Sequence, residues 1–133
     1  MILTSLTEHI LVKALDTAVL RHKAIAHNVA NVNTPGYKRY EVRFEEKLNQ
    51  ALGWAREITL GRTHPKHLPA ATWDLEPEVN REEFTTMRHD GNNVDIEREM
   101  VCLAQNSLDF DMALRQLGSR LAMWRYVINE GRR

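Results

Sequence analysis

With 133 residues the chain holds one domain's worth of sequence, and 43% hydrophobic with 27% charged residues matches a folded protein rather than a disordered one. Its 18 basic and 18 acidic residues cancel, which excludes the basic surface of a dedicated nucleic-acid binder and an acidic tail. The single cysteine, Cys102, excludes an intramolecular disulfide, and no apolar run exceeds five residues, far short of a membrane span.

The first predicted element is a helix over about Ser5–Val32. Ser5 and Glu8 spell the S-x-x-E pattern of a capping box. Leu11, Leu15, Ala18, His22, Ile25, Val29 and Val32 then recur at alternating steps of four and three, and no Gly or Pro interrupts before Pro35. The opening MILTSLTEHI lacks the basic stretch and long apolar core of a cleavable secretory signal. The helix gives way to ANVNTPGYK, Ala30–Lys38. Pro35 and Gly36 fit the two central positions of a type II turn, where glycine supplies the positive φ. Asn28 and Asn31 carry amides suited to orphan helix-end carbonyls or to a bridge to another chain.

The middle, Thr34–Asn93, contains all four prolines. Phe44, Leu48, Ala51 and Leu52 predict one short helix over about Val42–Leu52, and Ile58 with Leu60 a brief strand. Thr63–Asn80 reads as an irregular loop, and Asp90–Asn93, spelled DGNN, as a turn that launches the last helix.

That last helix, about Asp95–Glu130, carries the strongest periodicity. Ile96, Met100, Leu103, Ser107, Phe110, Leu114, Leu117, Leu121, Trp124 and Ile128 follow steps of four and three throughout, and all but Ser107 are apolar. A repeat averaging 3.5 residues is a coiled-coil seam. Asp95 is placed to cap its start and Gly131 to stop it; Gly118 costs about 1 kcal/mol of helix propensity and permits close approach of a neighbour. The charges run acidic first (Asp95, Glu97, Glu99, Asp109, Asp111) and basic last (Arg115, Arg120, Arg125, Arg132, Arg133), which suits the dipole of one helix. Cys102, among Met100, Val101, Leu103 and Ala104, reads as a buried, inert thiol.

The expected fold is all-α: two long terminal helices, about 42 and 54 Å by their lengths, packed antiparallel as a coiled coil around a largely irregular middle with one short helix. The zones are residues 1–33, 34–93 and 94–133. Such a hairpin leaves Val101, Leu108, Met112 and Val127 wet, so the sequence asks for partners.

No constellation resembles an active site. His64 and His67 flank Pro65, which disfavours a helical turn, while His22 and His27 point to different faces. No Cys-x-x-Cys or His-Glu-x-x-His pattern occurs. Glu97 with Glu99, and Asp109 with Asp111, sit two apart and diverge on a helix. Ser107 has no nucleophile-elbow context. The reading is therefore a non-enzyme without cofactor or metal.

The spelling RHKAIAHNVANVNTPGYK, Arg21–Lys38, closely resembles the N-terminal signature of flagellar rod and hook axial proteins. Asp90–Gly131, the short length and RTHPKHL at Arg62–Leu68 are similar to a proximal rod member of that family. The match is good over about the first 45 and last 44 residues and loose between. The resemblance implies a structural subunit of the basal-body proximal rod in the periplasm, exported unfolded by the flagellar type III apparatus without a cleavable signal. It implies self-association in a helical rod, contact with other proximal rod proteins and with the adaptor joining the rod to the MS ring, and neither nucleic-acid binding nor a membrane span. Asn28, Asn31, Pro35, Gly36 and Tyr37 match the family motif, with assembly as their role; His27 stands where a small or polar residue is commoner. To these the periodicity adds Leu11, Leu15, Ile25 and Val29 from the first helix. From the second it adds Ile96, Met100, Leu103, Phe110, Leu114, Leu117, Leu121, Trp124 and Ile128. A cytosolic adaptor or chaperone of flagellar export is the alternative, since it too needs exposed helical seams.

Overall fold

A computed structural model describes residues 6–50 and 76–129. Its frame is two helices, α1 (Leu6–Ala30) and α2 (Ile96–Ile128), joined through a two-stranded antiparallel sheet, β1 (Tyr40–Arg43) and β2 (Glu78–Arg81).

The helices arise where the spacing predicts them. In α1 no residue breaks the ladder, and it closes at Ala30, where the Asn31 N–H is shared between the carbonyls of His27 (3.2 Å) and Asn28 (3.1 Å). In α2 the Asp95 carboxylate accepts the Glu97 N–H at 3.0 Å as N-cap, and Glu97 and Glu99 place negative charge in the first turn. Asn129 is the C-cap; Gly131, the expected stop, lies outside the described residues, as does Ser5 of the expected capping box.

The helices run antiparallel, pinned at three heights. Trp124 Nε1 donates to Glu8 at 2.5 Å, Asn106 Nδ2 to the Ala18 carbonyl at 2.9 Å, and Asn28 Nδ2 to Glu99 at 3.1 Å. All three contacts are polar. Among the described residues the buried apolar side chains are few, Ala18, Ile25, Val42, Phe44 and Val94, and four of these five lie at the end of α1, on and beside β1 and on the approach to α2.

The all-α expectation is corrected by the sheet. Tyr40 pairs with Arg81, Glu41 with Asn80, Val42 with Val79 and Arg43 with Glu78. Val42 and Arg43, expected to open a short helix, are strand; the helix begins at residue 45 and is described as far as residue 50. Glu78–Asn80, expected to be irregular, belong to β2. The reason is physical: a four-residue strand shows two periods at most, and its pairing energy comes from a partner far along the chain. The strand expected at Ile58 and Leu60 and the RTHPKHL element lie outside the described residues. No helix among the described residues is long and apolar enough to cross a membrane.

Candidate functional site

The last turn of α1 and the turn after it form one half of a polar clasp. Thr34–Tyr37 closes as a turn, with the Tyr37 N–H on the Thr34 carbonyl at 3.3 Å and Gly36 at φ 69°, the positive value a type II turn demands. The Asn31 amide folds back onto the His27 carbonyl at 2.8 Å, satisfying a helix-end acceptor. Asn28, fully buried, does what a neighbouring strand does for β1. Its Oδ1 accepts the Tyr40 N–H at 2.8 Å and its Nδ2 donates to the Tyr40 carbonyl at 2.9 Å. The Tyr37 hydroxyl lies 3.2 Å from Asn28 Oδ1 and 2.7 Å from His27 Nδ1, and the rings of His27, Tyr37 and Tyr40 meet edge-on or tilted. Burial, reinforced by Tyr40, pushes the Tyr37 hydroxyl above its ordinary pKa of 10.0, so it stays protonated.

DGNN, Asp90–Asn93, is the other half. Asn92, also fully buried, directs Nδ2 at three carbonyls of the N-terminal motif, Asn31 (3.2 Å), Val32 (3.0 Å) and Thr34 (2.9 Å), while its Oδ1 accepts the Val94 N–H at 2.7 Å. The Gly36 N–H donates to the Asp90 carbonyl at 2.8 Å, and Gly91 adopts φ 80° against it. Asn93 accepts the Arg39 N–H at 2.7 Å and donates to the Glu82 carbonyl and the Thr85 hydroxyl, both at 2.8 Å. Arg88 adds a bond to the Val32 carbonyl at 2.9 Å. Two motifs about sixty residues apart in sequence are thus interlocked through backbone carbonyls.

A buried charge pair lies beneath the clasp. Arg39 Nε approaches Glu99 Oε1 at 3.2 Å with both side chains nearly inaccessible. The angle falls outside hydrogen-bond geometry, so the contact is Coulombic rather than a charge-assisted bond. Arg39 also reaches Glu82 at 3.3 Å. The arrangement holds chain segments together; nothing in it supplies a nucleophile beside a base. Among the described residues no three His, Cys, Asp or Glu side chains converge as metal ligands.

The residues expected at the interface separate into three sets. Asn28, Asn31, Pro35, Gly36 and Tyr37 build the clasp, with Pro35 and Gly36 exposed at its rim. Leu11, Leu15 and Val29 are half-buried and Ile25 is buried between the elements. The α2 seam divides lengthwise. Leu103, Phe110 and Leu117 are half-buried on the face toward α1, with Trp124 reaching Glu8, but they share that face with Glu99, Asn106, Ala113 and Arg120. The other half stands in solvent: Ile96 and Met100 are 45% exposed, Leu114 50%, Leu121 55% and Ile128 74%. Cys102 is half-buried rather than fully enclosed.

Sequence reasoning missed Arg39, Glu99 and the three-carbonyl grip of Asn92. The signal for Glu99 was present: with Asn106 seven residues on, it puts a polar group on the line bordering Leu103 and Phe110.

A helical pair with an exposed apolar flank and a polar clasp, with no catalytic constellation among the described residues, is the architecture of an assembly subunit. The family model for flagella basal body rod proteins matches residues 10–38, the stretch from the second turn of α1 through the Pro35–Gly36 turn. The chain is 30% identical over 119 residues to the flagellar basal body rod protein FlgB of Bacillus subtilis, covering 90% of each. It is 33% identical over 128 residues to FlgB of Salmonella typhimurium, again covering 90% of each, and 36% identical over 104 residues to FlgB of Borrelia hermsii, covering 74% of this chain and 77% of that one. The chain belongs to the FlgB family of flagellar basal body rod proteins, a structural component of the rod and not an enzyme.

Proposed function

We propose that the protein is a subunit of the proximal rod that polymerises through its terminal helices and transmits torque along the flagellar drive shaft. The observation carrying this reading is the outer half of the α2 seam. Met100, Leu114, Leu121 and Ile128, joined by Val101 and Leu108, form an apolar flank along a helix of about 50 Å that no part of the described chain covers. A close-packed neighbour on that flank resists shear, which is the mechanical requirement of a shaft. The clasp anchors one end of the pair, so that a load on α2 reaches α1 and the sheet through short polar bonds.

The expected neighbours are further copies, the other proximal rod proteins and the adaptor between rod and MS ring. Export runs through the flagellar type III apparatus, to the periplasmic rod. The test is incorporation: a strain lacking the gene, complemented with the natural chain or with Leu121→Asp, is examined for the protein in purified basal bodies and for swimming. The natural chain restores both and the variant neither, because a charge placed in an apolar contact is costly. Normal hook–basal bodies without the gene would overturn the assignment, and a stable soluble complex with one client would support an export chaperone instead.

A further inference from the structure

Phe84, on the loop between β2 and the clasp, is 100% exposed, and Glu82 and Glu83 precede it. No hydrogen bond among the described residues uses its N–H. The next residue is fixed, because the Thr85 carbonyl accepts Lys38 Nζ at 2.7 Å and its hydroxyl accepts Asn93 Nδ2 at 2.8 Å. An anchored base thus holds a phenylalanine ring wholly in water. A matching depression lies farther along the helix pair. Between α1 and α2 runs a groove of about 400 Å³, lined by Ala18 and Val19 from one helix and Phe110 from the other. Buried Asn106 lines it too, with Nδ2 on the Ala18 carbonyl and Oδ1 accepting no hydrogen bond from the described residues. Exposed His22 and Lys23 edge it on α1. An apolar slot with a buried orphan acceptor and a cationic lip suits an apolar group that brings a donor and an acid. Glu83 and Phe84 together have all three. The chain's own loop is too distant to supply them. Thirteen residues separate Ala18 from Asn31, and Asn93 from Asn106, which puts about 20 Å of helix between groove and clasp.

We propose that, in the assembled rod, Phe84 of one subunit seats in the groove between the helices of a second copy. Its ring packs on Val19 and Phe110, its N–H meets Asn106 Oδ1, and the Glu83 carboxylate meets Lys23. The α2 lip carries Asp111, so the acidic side of the loop is repelled there and faces α1; one orientation is selected. Loop and groove are different surfaces, which makes the contact heterologous. Each copy that gives its loop still offers its groove, so the contacts propagate as a shaft requires instead of closing on a pair. With the copies parallel, the contact sets neighbours about 20 Å out of step along the helices. The groove exists only where α1 and α2 are paired, so the contact belongs to the assembled subunit and requires no order in the free chain. It rests on the rod reading and gives that reading a second, directional surface beside the α2 flank.

Cross-linking in purified basal bodies tests the contact. In a Cys102→Ala background, the chain carrying both Lys23→Cys and Glu83→Cys keeps Phe84 and the groove walls. Oxidation should join its copies into dimers and higher multiples of the 15.4 kDa chain, while either single-cysteine chain stays monomeric. Phe84→Ala should lower the amount of chain in basal bodies roughly tenfold or more, with Phe84→Leu close to the natural amount. Lys23→Glu should also lower it, and adding Glu83→Lys should restore it. A double-cysteine chain that enters basal bodies without linking would overturn the contact, as would linking of either single-cysteine chain to itself or to a different protein. Natural incorporation of Phe84→Ala, or no rescue of Lys23→Glu by Glu83→Lys, would overturn it too. Each of these results leaves the rod reading standing, whereas a natural chain absent from basal bodies removes both.

Discussion

The two ends of the helix pair are built on opposite principles. At the clasp, where α1 finishes and α2 begins, four of the five buried apolar residues among those described lie in the same region as fully buried Asn28, Asn92 and Glu99, and polar atoms are matched to backbone groups. At the far end Leu114, Leu121, Met123, Val127 and Ile128 are at least half exposed, and a Trp124–Glu8 bond ties the helices there. One end is finished inside the chain; the other is left to be finished by something else. The difference teaches that periodic apolar residues do not by themselves mark a core. In α2 the buried positions are polar and the strongest apolar repeat is half outside.

That contrast can be broken at the clasp first. Glu99→Ala leaves the Arg39 guanidinium buried beside no carboxylate except that of Glu82, and should lower unfolding stability by about 3–5 kcal/mol in a denaturant titration. Asn92→Ala strips the donor from three carbonyls. With roughly 1–3 kcal/mol for a buried group left unpaired, it should release the N-terminal motif, seen as faster amide exchange at the Gly36 N–H than at mid-α1. An unchanged exchange pattern would mean the clasp is not what fixes that turn. Gly36→Val forces a β-branched residue into φ 69° and should cost roughly 1–2 kcal/mol; Gly118→Ala, which strains nothing, should stabilise the helix instead.

Smaller effects should separate the two regions more sharply. The Arg21 guanidinium, 2.8 Å from Glu45, is opposed by burial yet holds that carboxyl below its ordinary pKa of 4.5. Because the folded pKa is depressed, this stability is present above pH 4.5 and lost as pH falls below it. The side chain is largely exposed, so the loss should be roughly 0.2–1 kcal/mol and should vanish in Arg21→Ala. Smallest for the free chain is Leu121→Asp, within about 0.5 kcal/mol in either direction by thermal melting, although the same variant should abolish assembly. A large destabilisation of the isolated chain by Leu121→Asp would show that this flank is covered within the chain after all.

The legible parts of the fold are those whose signals are local. Asp95 as N-cap, the Pro35–Gly36 turn with its positive φ, and the span of both helices each follow from residues within a turn of one another. The sheet was not legible, because YEVR and EVNR are too short to show a period and neither is a strand until the other arrives. The clasp was half legible. Asn28, Asn31 and DGNN stand out by residue type and position, but the grip of Asn92 on three carbonyls of the other motif depends on a meeting across about sixty residues.

The seam from Ile96 to Ile128 divides these two sources of information. Sequence by itself determined that α2 is one long helix with a 3.5-residue apolar repeat and charges ordered acid to base, because helix periodicity is a property of neighbouring residues. Only the tertiary structure decided that Glu99, Asn106 and Arg120 share the inward line while Leu114 and Leu121 face out. An apolar stripe wider than one partner can cover says that something packs on it. The antiparallel fit of α1, pinned at Glu8, Ala18 and Asn28, selects which edge of the stripe is used.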